Sequence, residues 1–339
     1  MSTRSRAVDR SRCRLWFARR IPAAAIIDLE ALYCASMRSV IRLPAALQRR
    51  LDGTISTLLT SQQSRTVDFS RPLREEALVG PDSVSWRIFK NPIALFVGGV
   101  AAVVLELAEP SVRAGVWEHS SFRKDPIGRL RRTGLAAMVT VYGARSVAEP
   151  MIAGVVRRHA VVDGETSAGI RYAANDPRLL EWVHATAAFS FAEAYSRYVA
   201  ALSPCEFDGF YREGTPAARL YGAVDTPQSV GAMQNLFESM RSRLDPSPIV
   251  FQFLEIMRET ATFPRPFLWL QPILVRAAVD LVPEWIRQLL GLTESQGLRP
   301  RERWLVKWAG DVSNRIIPLE SPATQSCLRL GLPATHLYT

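Results

Sequence analysis

Cysteine, histidine and lysine are all scarce in this 339-residue chain. The four cysteines (Cys13, Cys34, Cys205, Cys327) form no C-x-x-C pair and no even spacing. That pattern argues against a disulfide scaffold and a thiolate zinc site, and points to a reducing, cytoplasmic setting. Imidazole chemistry rests on His119, His159, His184 and His336 alone. Missing too are G-x-G-x-x-G, G-x-x-x-x-G-K-[ST], G-x-S-x-G, H-E-x-x-H and an EF-hand loop. Dinucleotide, P-loop, α/β-hydrolase, zincin and calcium-binding chemistry therefore lack their usual carriers. With no paired E-x-x-H, a di-iron carboxylate bundle is disfavoured as well.

The net charge of +10 suggests nucleic acid until it is located. Eleven arginines and three acids lie in residues 1–50, leaving 31 bases and 29 acids in the rest. The body is nearly neutral and no basic face interleaved with aromatics follows, so no nucleic-acid partner is expected. The basic start reads as a partly disordered extension over residues 1–75, with Met1 or Met37 as the start codon. Its apolar run Ile21–Ile27 is broken at once by Asp28 and Glu30, too short for a signal-peptide core. The longest uncharged run, Asn91 to Leu105, falls short of a membrane span and reads as a buried helix.

Apolar stretches at 92–108, 134–144, 185–202, 249–258 and 266–290 are too long for strands. Helix starts are written into Asp176-Pro177, Thr215-Pro216, Thr226-Pro227 and the capping box Ser203-Pro204-Cys205-Glu206. Gly164, Gly214 and Gly291 read as helix C-caps. The expected fold is all-α: one large helical domain over 76–330, globin-like in holding a cofactor among helices, with a tail at 331–339. A protein of this kind with isolated histidines suits heme, which one axial imidazole in an apolar pocket can hold.

One series of short motifs stands out. His119-Ser120-Ser121-Phe122 is followed by Arg129-Leu130-Arg131-Arg132-Thr133, and then by a helix with His159 ahead of Asp163-Gly164. Tyr172-Ala173-Ala174-Asn175-Asp176-Pro177 and Trp182-Val183-His184 complete it. In this order the motifs resemble the oxygenase family of latex-clearing rubber oxygenases and MpaB-type fungal enzymes, best over residues 80–245. The resemblance implies a heme b-dependent oxidoreductase using O2 or peroxide on an apolar, unsaturated substrate, isoprenoid- or lipid-like. It also implies that His159 is the proximal iron ligand. A non-catalytic heme or lipid carrier and a cofactor-free member stand as alternatives.

Arg129 and Thr133 are four apart, so they share a helix face and can address a heme propionate or a polar distal ligand. Solvated arginines on a basic face are the plain alternative. His184 is a second candidate for the axial ligand, a supporting partner, or a buried histidine donating to a carbonyl. His119 can cap or brace a loop beside the cofactor. In the latex-clearing branch a lysine precedes the matching threonine and can ligate iron; here Arg132 stands there, and guanidinium cannot. Glu106 and Glu109 are the carboxylates available as a base. Phe251, Phe253, Phe263, Phe267, Trp269 and their neighbours read as core, or as a channel for a hydrocarbon.

Overall fold

The computed structural model describes residues 40–59 and 67–338; the arginine-rich start, Met37 and the run 21–27 lie outside them. The described residues form fourteen α-helices and one two-stranded antiparallel hairpin, an all-α domain. The helices that position the site are α2 (Val84–Phe89), α3 (Pro92–Glu106), α4 (Pro110–His119), α5 (Pro126–Tyr142) and α6 (Arg145–His159). The hairpin β1 (Asp163–Glu165) and β2 (Arg171–Ala173) leads into α7 (Pro177–Tyr198) and α8 (Pro204–Tyr221).

Local chemistry sets most of these starts. Asn91, Glu109, Asp125 and Asp176 each accept a backbone N–H of the first turn, ahead of a proline at the first helical position. Ser203 and Glu206 close a capping box on α8. Four expected punctuation marks fail. α8 runs straight through Gly214, Thr215 and Pro216, and ends at Gly222, whose φ of +103° supplies the left-handed cap. Gly164 belongs to the hairpin, α6 having stopped at His159. Thr226-Pro227 precedes a helix that starts later, at Val230 behind Ser229. The stretch 266–290 is also broken, into a 3-10 turn (Arg265–Leu270) and the helices Gln271–Leu281 and Glu284–Leu289.

The centre of the domain is the pair α3 and α7. α3 is apolar up to Glu106, as a helix buried on nearly every side should be. Gly98 lets it touch α7: a Cβ there would lie 2.6 Å from Phe191 Cδ1 and 2.9 Å from its Cα. At the start of α3, Asn91 Nδ2 donates to the Gly310 carbonyl (3.0 Å). Gly310 in turn abuts the end of α7, where its Cβ would fall 2.1 Å from the Tyr198 carbonyl oxygen. The two helices are therefore antiparallel, and the register carries His184 level with Leu105 and Glu106. α8 returns alongside α7, with Gly222 against Leu180 and Gly214 against His184.

Parts of both flanks expected to lie outside the domain, residues 67–75 and 331–338, are tied to it. Phe69 is buried, and Arg329, itself 1 % exposed, donates to the carbonyls of Phe69 (3.0 Å) and Glu75 (2.9 Å). Near residue 338, half-buried Lys90 donates to the Leu337 carbonyl and to that of Asn314 (3.3 Å), with its ammonium 4.2 Å from the Tyr338 ring centre. Domain contacts thus extend to residues 67–75 and 331–338, because backbone carbonyls there satisfy cations of the body. No single helix among the described residues is long and apolar enough to cross a membrane; α3 and α4 pass that test only as a pair bent by 112°.

Candidate functional site

α3 has one stripe that is only partly covered: Phe96, Gly99, Val103 and Glu106, at successive three- or four-residue steps. Glu106 closes it. Burial pushes its carboxyl up to about 7, against the pull of the Arg129 guanidinium. Arg129, in the first turn of α5, has its own pKa lowered by burial, with Glu106 opposing the shift and Arg132 adding to it.

His159 completes this neighbourhood from the last turn of α6. Its pKa is lowered, first by burial and then by Arg129 and Arg158, so its imidazole is neutral at pH 7. Its Nδ1 is shut from solvent without a hydrogen-bond partner. The ring's setting is braced from the hairpin side. Asn175 Nδ2 donates to the Val156 carbonyl (3.1 Å), one turn before the histidine, and Val162 N–H donates to the carbonyl of His159 itself (3.0 Å). Asn175 belongs to the Tyr172–Pro177 motif, but nothing in the sequence marks it as a brace for α6.

His184 lies on α7 at the level of Glu106, with its ring against Gly214: a Cβ at Gly214 would meet Cε1 at 3.0 Å. Burial drops its pKa to about 4, and its Nε2 is likewise buried without a partner. It donates to no carbonyl through that nitrogen. The other candidates divide. Thr133 is exposed on α5, and its Oγ1 donates back to the Arg129 carbonyl (3.0 Å). Arg132 turns to Ser121 Oγ (2.6 Å) and Asp125 (3.5 Å). His119 is exposed and stacks edge-on against Tyr172 of β2, ring centres 6.4 Å apart. Of the two glutamates, Glu109 is a helix cap: it is 3 % exposed, accepts the Val112 N–H (2.7 Å) and lies 3.6 Å from Arg243. Glu106 is the carboxylate coupled to Arg129.

The lining around these groups is apolar and open. Leu130, Leu135 and Met138 on α5 are half-buried, and a Cβ at Gly99 or Gly134 would meet no atom within 4 Å. Among the described residues no three His, Cys, Asp or Glu side chains converge as a metal cage. The site offers single imidazoles, each with a nitrogen held away from water, in an apolar wall with arginine and carboxylate beside it. Such a donor set fits a heme, which needs one axial nitrogen, apolar faces and cations for its propionates.

Residues 86–314 match the family model described as ER-bound oxygenase mpaB/B′/rubber oxygenase, catalytic domain. The match runs from Trp86 past residue 245, where the motif resemblance faded, to the end of the helix Pro300–Arg315. No curated protein and no solved structure matches the chain.

Proposed function

The chain belongs to the oxygenase family of ER-bound mpaB/B′ and rubber oxygenases, and from that premise we propose that it is a heme b-dependent oxygenase. Its substrate is apolar and unsaturated, of isoprenoid or lipid type, with O2 or peroxide as the oxidant. The observation that carries the reading is the His159 imidazole, its pKa lowered by burial and its Nδ1 buried and unpartnered, within electrostatic reach of Arg129, which Glu106 reaches as well.

Bound heme supplies the oxygen activation that no side chain of this protein can provide. His159 would hold the iron through its neutral ring. Asn175, by fixing the α6 carbonyl a turn earlier, is a positioning residue for that ring. Arg129 orients an anionic or polar group, a propionate or the oxidant, and Thr133 presents its hydroxyl one turn along the same helix. Glu106 titrates near pH 7, so its carboxyl can hold or accept a proton at working pH. The stripe Phe96–Gly99–Val103 leads to it and offers a partly open apolar surface; Phe263 extends it, 4.9 Å from Phe96 between ring centres. Arg132 cannot ligate iron and is engaged by Ser121 and Asp125, so a lysine-capped resting state does not carry over.

The test is the absorption spectrum of protein expressed with a heme supply, followed by turnover of unsaturated hydrocarbons. A Soret band that shifts with reductant and carbon monoxide, together with oxygen uptake on an alkene, is expected. Heme without turnover would make the protein a carrier, and a colourless protein would make it a cofactor-free member.

A further inference from the structure

The helix α13 (Pro300–Arg315) has two apolar faces, and only one of them is used. Val306, Ala309 and Gly310 point inward; Val306 is fully buried, and Gly310 lies against the end of α7. Trp304, Leu305, Trp308 and Val312 follow Arg301 at steps of three, four, seven and eleven, the spacing of one helix face. That face looks out. Trp304 is 65 % exposed and Trp308 51 %, a tryptophan pair one turn apart in the solvent. A stripe of this pattern ordinarily faces a core, and large exposed apolar groups side by side mark a contact surface.

Charge identifies what the surface meets. The acids of this helix are engaged elsewhere: Glu302 pairs with Arg276 (2.5 Å) and Asp311 with Arg315 (3.6 Å). Arg301, within the outward face, and Lys307, at its edge, are exposed beside the tryptophans, and Arg299 stands exposed just before the helix. Indole rings flanked by cations on one side of a helix suit the boundary between lipid headgroups and acyl chains. A protein partner of ordinary composition would need acids set against these positions; an anionic bilayer presents them everywhere.

We propose that the outward face of α13 docks the protein on an anionic lipid surface, with Trp304 and Trp308 entering the interface and Arg301 and Lys307 meeting headgroup phosphates. Among the described residues no single helix is long and apolar enough to span a bilayer. The proposal is independent of the cofactor reading.

The test is flotation of the full chain with vesicles of phosphatidylcholine, alone or mixed with phosphatidylglycerol, together with light scattering for oligomeric state. The wild type should float with the mixed vesicles and far less with the neutral ones. Trp304→Ser with Trp308→Ser should weaken that partition about tenfold at an unchanged melting temperature. Arg301→Gln with Lys307→Gln should abolish the preference for anionic vesicles. Should the double tryptophan variant lower the melting temperature, the single Trp304→Ser carries the comparison. The proposal is overturned if the wild type binds neither vesicle. It is overturned equally if the tryptophan variant floats like the wild type, as it would were the arginines of residues 1–50 the whole attraction. A tryptophan variant that changes only oligomeric state would make the face a contact between copies, and would also overturn it.

Discussion

Glu106 and Arg129 are electrostatic partners that stop short of an ion pair: each shifts the other's pKa across the space between α3 and α5, while burial remains the larger effect on both. A carboxyl raised from 4.5 to about 7 in the fold is stabilised in its neutral form. Its contribution to stability is full below its unfolded pKa and is lost as the pH rises through about 7. Glu106→Gln should therefore match the wild type at pH 4 and exceed it at pH 8, by up to about 3 kcal/mol and less where water reaches the carboxylate. Urea melts of heme-free protein at the two pH values check this. Equal stability of wild type and variant at both would mean that the carboxylate ionises in the fold without cost.

Replacing His159, the proposed iron ligand, should be distinguishable from replacing His184. His159→Ala is expected to lose stable heme binding, leaving porphyrin held by apolar contact and arginine alone. His184→Ala should weaken it only about 10–100-fold, as loss of a supporting group does. Free imidazole should partly restore the Soret band of the His159 variant. Full heme occupancy in His159→Ala with loss in His184→Ala would transfer the axial role to α7.

His184 has its own signature in pH. Its pKa falls from 6.5 to about 4, so its neutral form is favoured by the fold. The stability it contributes is intact above pH 6.5 and is lost as the pH drops through about 4, amounting to about 3 kcal/mol at most. Heme-free wild type should lose melting temperature over that window, and His184→Leu should lose less. Parallel curves for the two proteins would sink the assignment.

Two adjacent glycines should respond oppositely. Gly98→Ala drives a methyl into Phe191, including its backbone, and should cost about 1–3 kcal/mol. Gly99→Ala meets nothing within 4 Å and should be neutral or stabilise by up to about 1 kcal/mol through helix propensity. Denaturant midpoints of the two variants decide whether the α3–α7 contact is as close as described.

What sequence showed and hid follows from how local each signal is. The caps at Asp176 and Ser203 were legible because the cap, the proline and the accepting side chain all lie within one turn. Gly214 and Pro216 misled, since what keeps α8 helical there is packing against α7, where Gly214 accommodates the ring of His184. The hairpin was invisible at three residues per strand. Glu106 and Glu109 were indistinguishable by type and spacing. Only the tertiary fold separates a carboxylate bound to its own helix start from one set against Arg129, 23 residues further along on another helix. The orphaned nitrogens of His159 and His184 were equally hidden, because a missing partner is a property of the packed interior.

The partial burial of Lys90 bears on the order in which the protein can be completed. Its ammonium, whose pKa burial lowers to about 8, is served by carbonyls at Asn314 and Leu337 and by the ring of Tyr338. Arg329 likewise reaches back to Phe69 and Glu75. During synthesis α2 and α3 emerge more than two hundred residues before these partners, and at about 5–20 residues per second they wait on the order of ten seconds or more. Over that interval the start of α3 carries a cation whose native acceptors do not yet exist. The Lys90 contact therefore closes only after the segments around Asn314 and Leu337 have been made, however early α2 and α3 take up their helical form.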